Sequence, residues 1–430
     1  MGIKLRKEML VAVLFLLPYL ENNFTQKYLQ FYFDNSYIRA ITVVSSIVMV
    51  IVLVGIVLKN KLKIDKSIRT IRGLLLSFVL YSGLSSMLIT KDSTVSLCVW
   101  IWCATPILFA LLVIYYFDVS ELKLTRLIKY GILWFAIYLF IVLVYYIVVH
   151  HLFFDSTVRM KPRGGGAVIF GYTIALFFSL TLIYKNEFNR VGYYGLLVLF
   201  SIGALGTTTR GAVWLIVLLW VANFLFVSFS SKRILFFLFL IPVVFFVCSI
   251  DFTSLETTTF VGFGRLLNLH SFRRDTSTDG LIEVFKIIPL QQKLVGTGLG
   301  GFFPYQQWSI FNGDVENNMF TYMGQSILVQ PHNSFLYMLM ESGLCGTTLV
   351  VAALMKGLGK CIKKKSNRWL FRVIFIGAFI VLNCLDSVFF VQPGTAYLFW
   401  LLFFLMLEDN EKNSMEKKRN QAITALRGLL

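Results

Sequence analysis

Charged residues are scarce in this chain of 430 residues. Asp, Glu, Lys and Arg together make up 14% of it, whereas 57% of the residues are hydrophobic and the mean hydropathy is +0.75. A soluble protein of this length covers its surface with far more charge, so we expect lipid to be the solvent of this chain. The 42 Phe residues suit lipid-facing helices and have no catalytic meaning. The composition therefore predicts a membrane protein.

Metal-binding and common nucleophile motifs are also missing. The four His residues are His150, His151, His270 and His332, and their spacing is not that of metal ligands. Six Cys residues show no disulfide framework; five fall in apolar segments and Cys361 falls in a basic loop. No Gly-x-Ser-x-Gly elbow and no Walker sequence occurs. We therefore expect no metal and no cofactor.

Apolar runs of membrane-spanning length predict an all-α, polytopic protein with about twelve transmembrane helices. The predicted helices lie at about 7–22, 39–58, 73–90, 95–117, 131–150, 167–184, 191–208, 211–229, 233–250, 333–355, 370–388 and 394–408. The chain then divides into helices one to nine (1–250), a large extracytoplasmic loop (251–332), helices ten to twelve (333–408) and a cytoplasmic tail (409–430). A loop of this length is uncommon in a compact fold unless it has a purpose.

The net charge of +18 is distributed unevenly between the predicted loops. If loops alternate from a cytoplasmic N-terminus, most of the 40 Lys and Arg residues lie on the inner side, chiefly from Lys59 to Arg72 and from Lys356 to Arg372. This asymmetry predicts that both termini are cytoplasmic. We interpret the charge as a determinant of topology and of contact with anionic lipid, and not as a nucleic-acid surface.

Pro331, His332 and Asn333 stand at the predicted outer mouth of the tenth helix. Pro followed by Asn is typical of a helix start. A neutral imidazole at this place can accept a proton from an attacking hydroxyl, because His titrates near neutral pH. The alternative is that His332 and Asn333 only cap the helix, and the residues themselves leave both interpretations open.

Glu341 follows His332 in the same predicted helix. It would lie about half a turn away and roughly 13 Å deeper, so the two do not share a face. A charge in the membrane needs a partner, and a structural pairing and a proton relay both stay open. Gly343 and Gly346 more simply predict close helix packing.

Arg210 lies in the short connection Thr207-Thr208-Thr209-Arg210-Gly211 at the predicted outer boundary. An Arg there goes against the positive-inside trend. Its guanidinium presents paired donors to a phosphate, and the Thr hydroxyls could add more. Snorkelling to lipid headgroups is the alternative. We favour ligand binding, since intramembrane ionisable groups usually serve function.

Further cations occupy the predicted outer loops. They are Arg159, Lys161 and Arg163, which run into a Gly triplet at 164–166, and Arg265, Arg273 and Arg274 in the large loop. Any one of them alone is best explained as a solvated loop charge. Together they make the outer face cationic, as an anionic substrate such as a pyrophosphate requires.

The segment from Gly296 to Gly301 reads Gly-Thr-Gly-Leu-Gly-Gly and matches the dinucleotide pattern GxGxxG literally. It follows no strand of a βαβ unit and lies in a predicted outer loop, away from cytosolic nucleotides. We therefore predict a tight turn that packs closely against a neighbouring element.

His332 and Asn333 are followed by nine residues and then by Gly343-x-x-Gly346. Two further segments accompany this element: Thr-Arg-Gly-Ala-Val-Trp at 209–214 and Val-Gly-Thr-Gly-Leu-Gly-Gly-Phe at 295–302. In this order, and with a long outer loop between the ninth and tenth helices, the chain resembles the O-antigen polymerase and O-antigen ligase family (Wzy-type polymerases and related ligases) of bacterial cell-envelope biosynthesis.

The resemblance implies a metal-independent, inverting glycosyltransferase in the bacterial cytoplasmic membrane, with an extracytoplasmic active site. His332 would be the base for the acceptor hydroxyl, and Arg210 would hold the pyrophosphate of an undecaprenyl-pyrophosphate-linked oligosaccharide donor. Asn333, Arg159 and Arg163 would assist in substrate binding. A chain-length regulator and a flippase are the implied protein partners.

One position departs from the family pattern. An Arg often stands about 15–20 residues before the Gly-x-Gly turn in such proteins, and here Asp279 occupies about that place. Arg265, Arg273 and Arg274 are the loop cations that remain for phosphate binding, and the sequence does not choose among them.

The acceptor is not encoded in any motif, so two related functions stay open. A polymerase of O-antigen (lipopolysaccharide) or capsule repeat units is favoured, and a ligase that transfers finished glycan to a lipid or wall acceptor is the alternative. A flippase of lipid-linked sugars is more distant, because it would have repeated halves and a central cationic cavity without one large loop.

Overall fold

The protein is described here from a computed structural model. The residues that the structure describes are 51, 68–89, 93–119, 124–152, 158–161, 167–227, 285–286, 288–299, 319–322, 325–328, 333–363, 369–385 and 393–408. Nearly all of them are helical, which confirms the predicted helical architecture.

The long helices of this part of the chain are α1 (Arg69–Leu88), α2 (Ser93–Val119), α3 (Leu124–His150), α4 (Ala167–Ile183), α5 (Arg190–Thr207), α6 (Arg210–Val227), α8 (Ser334–Lys363), α9 (Trp369–Leu385) and α10 (Pro393–Glu408). Each coincides with one predicted helix. The predicted helices at about 7–22 and 233–250 lie outside the described residues, as does all of 39–58 except Ile51, which is helical.

The large loop contributes shorter elements. They are α7 (Leu290–Val295) and an antiparallel hairpin of β1 (Met319–Tyr322) and β2 (Gln325–Leu328), in which Met319 pairs with Leu328 and Tyr322 with Gln325. A 3₁₀ turn, Lys185–Glu187, joins α4 to α5. The sequence had predicted the loop without these elements.

Within the described part of the chain, four helices are long and apolar enough to cross a membrane: α1, most of α3, α5 and α8. Helix α4 and the stretches Arg210–Asn223 of α6 and Thr395–Leu407 of α10 are apolar but shorter. Helix α3 also presents a row of exposed apolar side chains, among them Ile137, Phe140, Ile141, Val144 and Val148. Such a stripe is far larger than a soluble protein tolerates. These features are consistent with a multi-pass membrane protein.

The core is built around α4, α8 and α10. Helix α4 is hydrophobic on all sides and is buried along most of its length, as expected of a helix that other helices surround. Helix α10 packs against α2 and α4, while α8 packs against α1, α9 and α7. Helix α6 packs against α4 and α9.

Several basic residues that the sequence placed in inner loops lie on helices. Lys356, Lys360 and Lys363 belong to the last turns of α8, which extends beyond its predicted end, and Cys361 is buried on the same turns. Arg72 is buried near the start of α1. The long apolar stem of Lys packs along a helix while the charge reaches outwards, so a Lys in the last turns does not end an apolar helix. The prediction that Cys361 lies in a loop was wrong for this reason.

Helix α8 is not straight, because Gly343 interrupts it with a φ of 63° and a ψ of −175°. The apolar run had predicted one continuous helix. The break divides α8 into residues 334–342 and residues 344–363, called the outer segment and the inner segment after the predicted topology.

Candidate functional site

The turn around Arg210 reverses the chain within two residues. Helix α5 ends at Thr207, and α6 begins at Arg210. Between them Thr208 adopts a left-handed conformation with a φ of 51°, and its N–H donates to the Leu205 carbonyl at 2.9 Å. A residue other than glycine in this conformation is uncommon. Arg210 consequently becomes the first residue of a helix and lies partly exposed at its end.

One Thr hydroxyl ties this turn to α4, and a second bonds back within α5. The Thr209 hydroxyl donates to the Ala167 carbonyl at 3.0 Å, and the Thr207 hydroxyl donates to the Ala204 carbonyl at 2.8 Å. Gly171 makes the close contact possible, since a Cβ at that position would lie 2.7 Å from the Thr207 hydroxyl. Thr207 and Thr209 thus support the turn from within. The hydroxyl of Thr208 is buried and has no hydrogen-bond partner within the described residues.

Arg159 meets the same turn from a different part of the chain. Its Nε donates to the Thr207 carbonyl at 3.2 Å, and the neighbouring Met160 N–H donates to the Gly206 carbonyl at 2.8 Å. Met160 is fully buried, so residues 158–161 are fixed along the end of α5. The structure therefore brings together Arg159 and the turn that carries Arg210, two predicted site residues far apart in sequence.

Asn333 is the N-cap of α8. Its Oδ1 accepts the Leu336 N–H at 2.9 Å, and its backbone carbonyl accepts the Tyr337 N–H at 3.0 Å. A side-chain acceptor at this position satisfies one of the backbone N–H groups that the first helical turn leaves without a partner. The predicted helix start is confirmed. The cap hydrogen bond does not bear on the predicted role of Asn333 in substrate binding.

A second polar pair fixes the mouth of α8 to α9. The buried Ser334 hydroxyl donates to Asn383 Oδ1 at 2.8 Å, and Asn383 Nδ2 donates to the Phe379 carbonyl at 2.8 Å. Asn383 was not among the site residues predicted from the sequence. The sequence did contain a clue to this bond, since Asn383 is an amide side chain inside the apolar run predicted at about 370–388. Polar residues between membrane helices usually bond across the helix interface.

The remaining predicted site residues lie outside the described part of the chain. They are His332, Arg163, Arg265, Arg273 and Arg274. His332 directly precedes the cap Asn333 in the sequence. Lys161 is described and is exposed.

Glu341 is fully buried in the outer segment of α8 and interacts within the bundle. Its backbone carbonyl accepts the Thr297 N–H at 3.2 Å. This bond comes from the predicted glycine turn, in which Gly296 and Gly298 have φ values of 83° and 81°. The turn packs tightly against Gly343, so its predicted close approach to a neighbour is confirmed.

Comparison with known proteins gives no identification. No family model matches the chain, and no curated protein is significantly similar to it. Among the described residues, no group of three or more His, Cys, Asp and Glu side chains is placed to hold a metal ion.

Changing Asn333 separates its two roles. Asn333→Ala is expected to lower the free energy of unfolding by about 1 kcal/mol, because it removes the cap. Asn333→Asp keeps an acceptor for the Leu336 N–H and should retain stability. It loses the amide donors, which the family resemblance implies for substrate binding, so in a glycan-forming enzyme of that kind we expect severalfold less product from it. Thermal unfolding in detergent and product length on gels measure the two effects. Normal product from a stable Asp variant would show that Asn333 is only a cap.

Proposed function

We propose that this chain polymerises undecaprenyl-pyrophosphate-linked oligosaccharide repeat units into O-antigen or capsular polysaccharide, by metal-independent inverting glycosyl transfer. The observation that supports this best is the convergence of Arg159 on the Thr207 carbonyl, in the turn that ends at Arg210. Two Arg residues at one short turn suit a ligand with two adjacent phosphates, because Arg presents paired donors to phosphate oxygens.

The proposed topology has twelve spans, cytoplasmic termini and an active site on the outer face of the bacterial cytoplasmic membrane. In this topology the start of α6 and the end of α9 lie on the same outer side. Helices α6 and α9 pack against each other, and α9 holds Ser334 through Asn383. The turn of Arg210 and the mouth of α8 are thus connected through one pair of packed helices.

The reaction that fits these groups is a single displacement. His332 takes the proton of an acceptor hydroxyl, and the hydroxyl oxygen attacks the anomeric carbon of the donor sugar. The bond from that carbon to the pyrophosphate oxygen breaks on the opposite face, and the configuration inverts. The leaving pyrophosphate keeps the bonding electron pair. Arg210 and Arg159 stabilise the negative charge that develops there, which is the main electrostatic task of such a site.

Deletion of the gene in its native host tests the proposal. A polymerase defect leaves the envelope glycan as single repeat units, whereas a ligase defect leaves full-length polymer on its lipid carrier. Loss of a flippase would keep unpolymerised repeat units on the cytoplasmic face. We expect single repeats, and restoration of long chains by a plasmid copy. Unchanged long chains in the deletion strain would contradict the proposal, and polymer held on the carrier would favour the ligase.

A further inference from the structure

The glycine turn, residues 295–299, is a part of the large loop that enters the helix bundle. Gly296, Gly298 and Leu299 are all buried, and Leu299 is only 1% exposed. Thr297 of this turn contacts Glu341, which lies eight residues into α8 from the cap Asn333. At the helical rise this is about 12 Å along the axis. The turn therefore reaches well below the mouth of α8.

Three side chains of α1 and α2 hold the turn at both ends. The Tyr81 hydroxyl donates to the Val295 carbonyl at 2.7 Å. The Ser86 hydroxyl accepts the Leu299 N–H at 3.1 Å, and the Ser96 hydroxyl donates to the Leu299 carbonyl. Buried backbone groups of a non-helical segment at membrane depth need such partners, because water and lipid supply none there. The turn is thus fixed by side chains far from it in sequence.

The glycine turn packs against the break in α8 at Gly343. A helical segment leaves its last carbonyl groups without internal partners, and the Thr297 N–H bonds to one of them, that of Glu341. The fit is reciprocal: a Cβ on Gly343 would collide with the Leu294 carbonyl and the Gly296 nitrogen, and a Cβ on Gly296 would collide with the Glu341 carbonyl. Glycine is required on both sides of this contact.

Tyr81 connects the turn with the inner segment of α8. Its hydroxyl bonds to Val295, while its ring lies 3.1 Å from where a Cβ of Gly346 would be. The Gly343-x-x-Gly346 element therefore has a packing role at both positions. Gly343 admits the turn, and Gly346 admits the aromatic ring that anchors it.

We infer that the glycine turn is a positioning element for the mouth of α8, with Tyr81 and Ser86 as the positioning residues that hold it. The inference rests on the proposed function, in which His332 at that mouth is the base. The outer segment of α8 is held by Ser334 and Asn383 at its start and by the turn at its end. It is about 13 Å long, so a tilt of about 5° at the break moves the mouth by about 1 Å. A displacement of that size can cost about a hundredfold in rate.

Variants that loosen the turn without touching the mouth test this inference. Tyr81→Phe removes the bond to Val295, and Ser86→Ala removes the acceptor for Leu299, so the double variant loses both. Ser86→Thr keeps a hydroxyl and serves as the conservative rescue. Tyr130→Phe on α3, where the side chain is 64% exposed, is the matched control. We expect near-normal expression from all of them.

Hydrogen exchange of the purified protein in lipid nanodiscs measures how firmly the outer segment of α8 is held. In the double variant, we expect amides of residues 335–342 to exchange about tenfold faster, while those of the inner segment and of α1 stay unchanged. Unaltered exchange of the outer segment would overturn the inference. This readout is independent of any catalytic activity.

Kinetics in membrane vesicles complete the test, with lipid-linked repeat units purified from the deletion strain as the probe. We expect the double variant to lower kcat about tenfold, because the mouth is displaced, whereas KM should change less, because the Arg159 and Arg210 groups are not altered. Ser86→Thr and Tyr130→Phe should stay near wild type. A raised KM with normal kcat would overturn the inference. If His332→Ala retains full activity, the proposed function fails, whereas the exchange result still decides the role of the turn.

Discussion

Arg210→Ala and His332→Ala are each expected to abolish polymer formation while the amount of protein in the membrane stays unchanged. Removal of one preorganised group that stabilises transition-state charge typically costs about 10²–10³-fold in rate. Loss of a general base costs about 10²–10⁴-fold. Arg210→Lys should retain part of the activity, because it keeps the charge but loses the paired donors. The length of envelope polysaccharide on a gel, from deletion cells that carry each variant, is the measurement.

Arg190→Ala is a matched control for Arg210→Ala. Arg190 is also the first residue of a helix, α5, and it is exposed. In the proposed topology it lies on the cytoplasmic side, so its loss should leave chain length normal. Long chains from either the Arg210 or the His332 variant would contradict the assigned role. Equal loss in the Arg190 variant would show that the effect reflects charge at helix ends in general.

Gly343→Ala is expected to destabilise the protein severely. An L-residue at a φ of 63° costs about 1–2 kcal/mol in backbone strain alone. The added Cβ would also meet the backbone of Leu294 and Gly296, which cannot move as a flexible side chain can. We expect the free energy of unfolding to fall by about 3 kcal/mol or more, within the range that strain and overpacking produce. Detergent-solubilised protein should unfold at a clearly lower temperature.

Gly359→Ala on the same helix is the control for this prediction. A Cβ at Gly359 meets nothing within 4 Å, so Ala there should be neutral or should stabilise by about 0.5–1 kcal/mol through helix propensity. Unfolding of Gly343→Ala at the same temperature as Gly359→Ala would show that the break in α8 is not required. The comparison separates the contact with the glycine turn from a general effect of Ala.

Helix positions could be predicted from the sequence because the length of an apolar run is a local property. The run at 167–184 corresponds to α4, Ala167–Ile183, almost residue for residue. Predicted helix boundaries were wrong where a charged residue was taken as the end of a helix. Helix α8 continues to Lys363, because Lys stems pack along a helix. The cap at Asn333 was also predictable, because N-capping depends only on residues within one turn.

The sequence by itself therefore determined an apolar helical chain and the cap at Asn333. Only the tertiary structure decided which polar groups meet. Arg159 bonds to Thr207, Ser334 bonds to Asn383, and Tyr81 bonds to Val295 across more than two hundred residues. The glycine pattern predicted a tight turn, but it did not predict that this turn packs against the break in helix α8. Local patterns fix what a segment can form, whereas the partner of each buried polar group depends on which helices pack together.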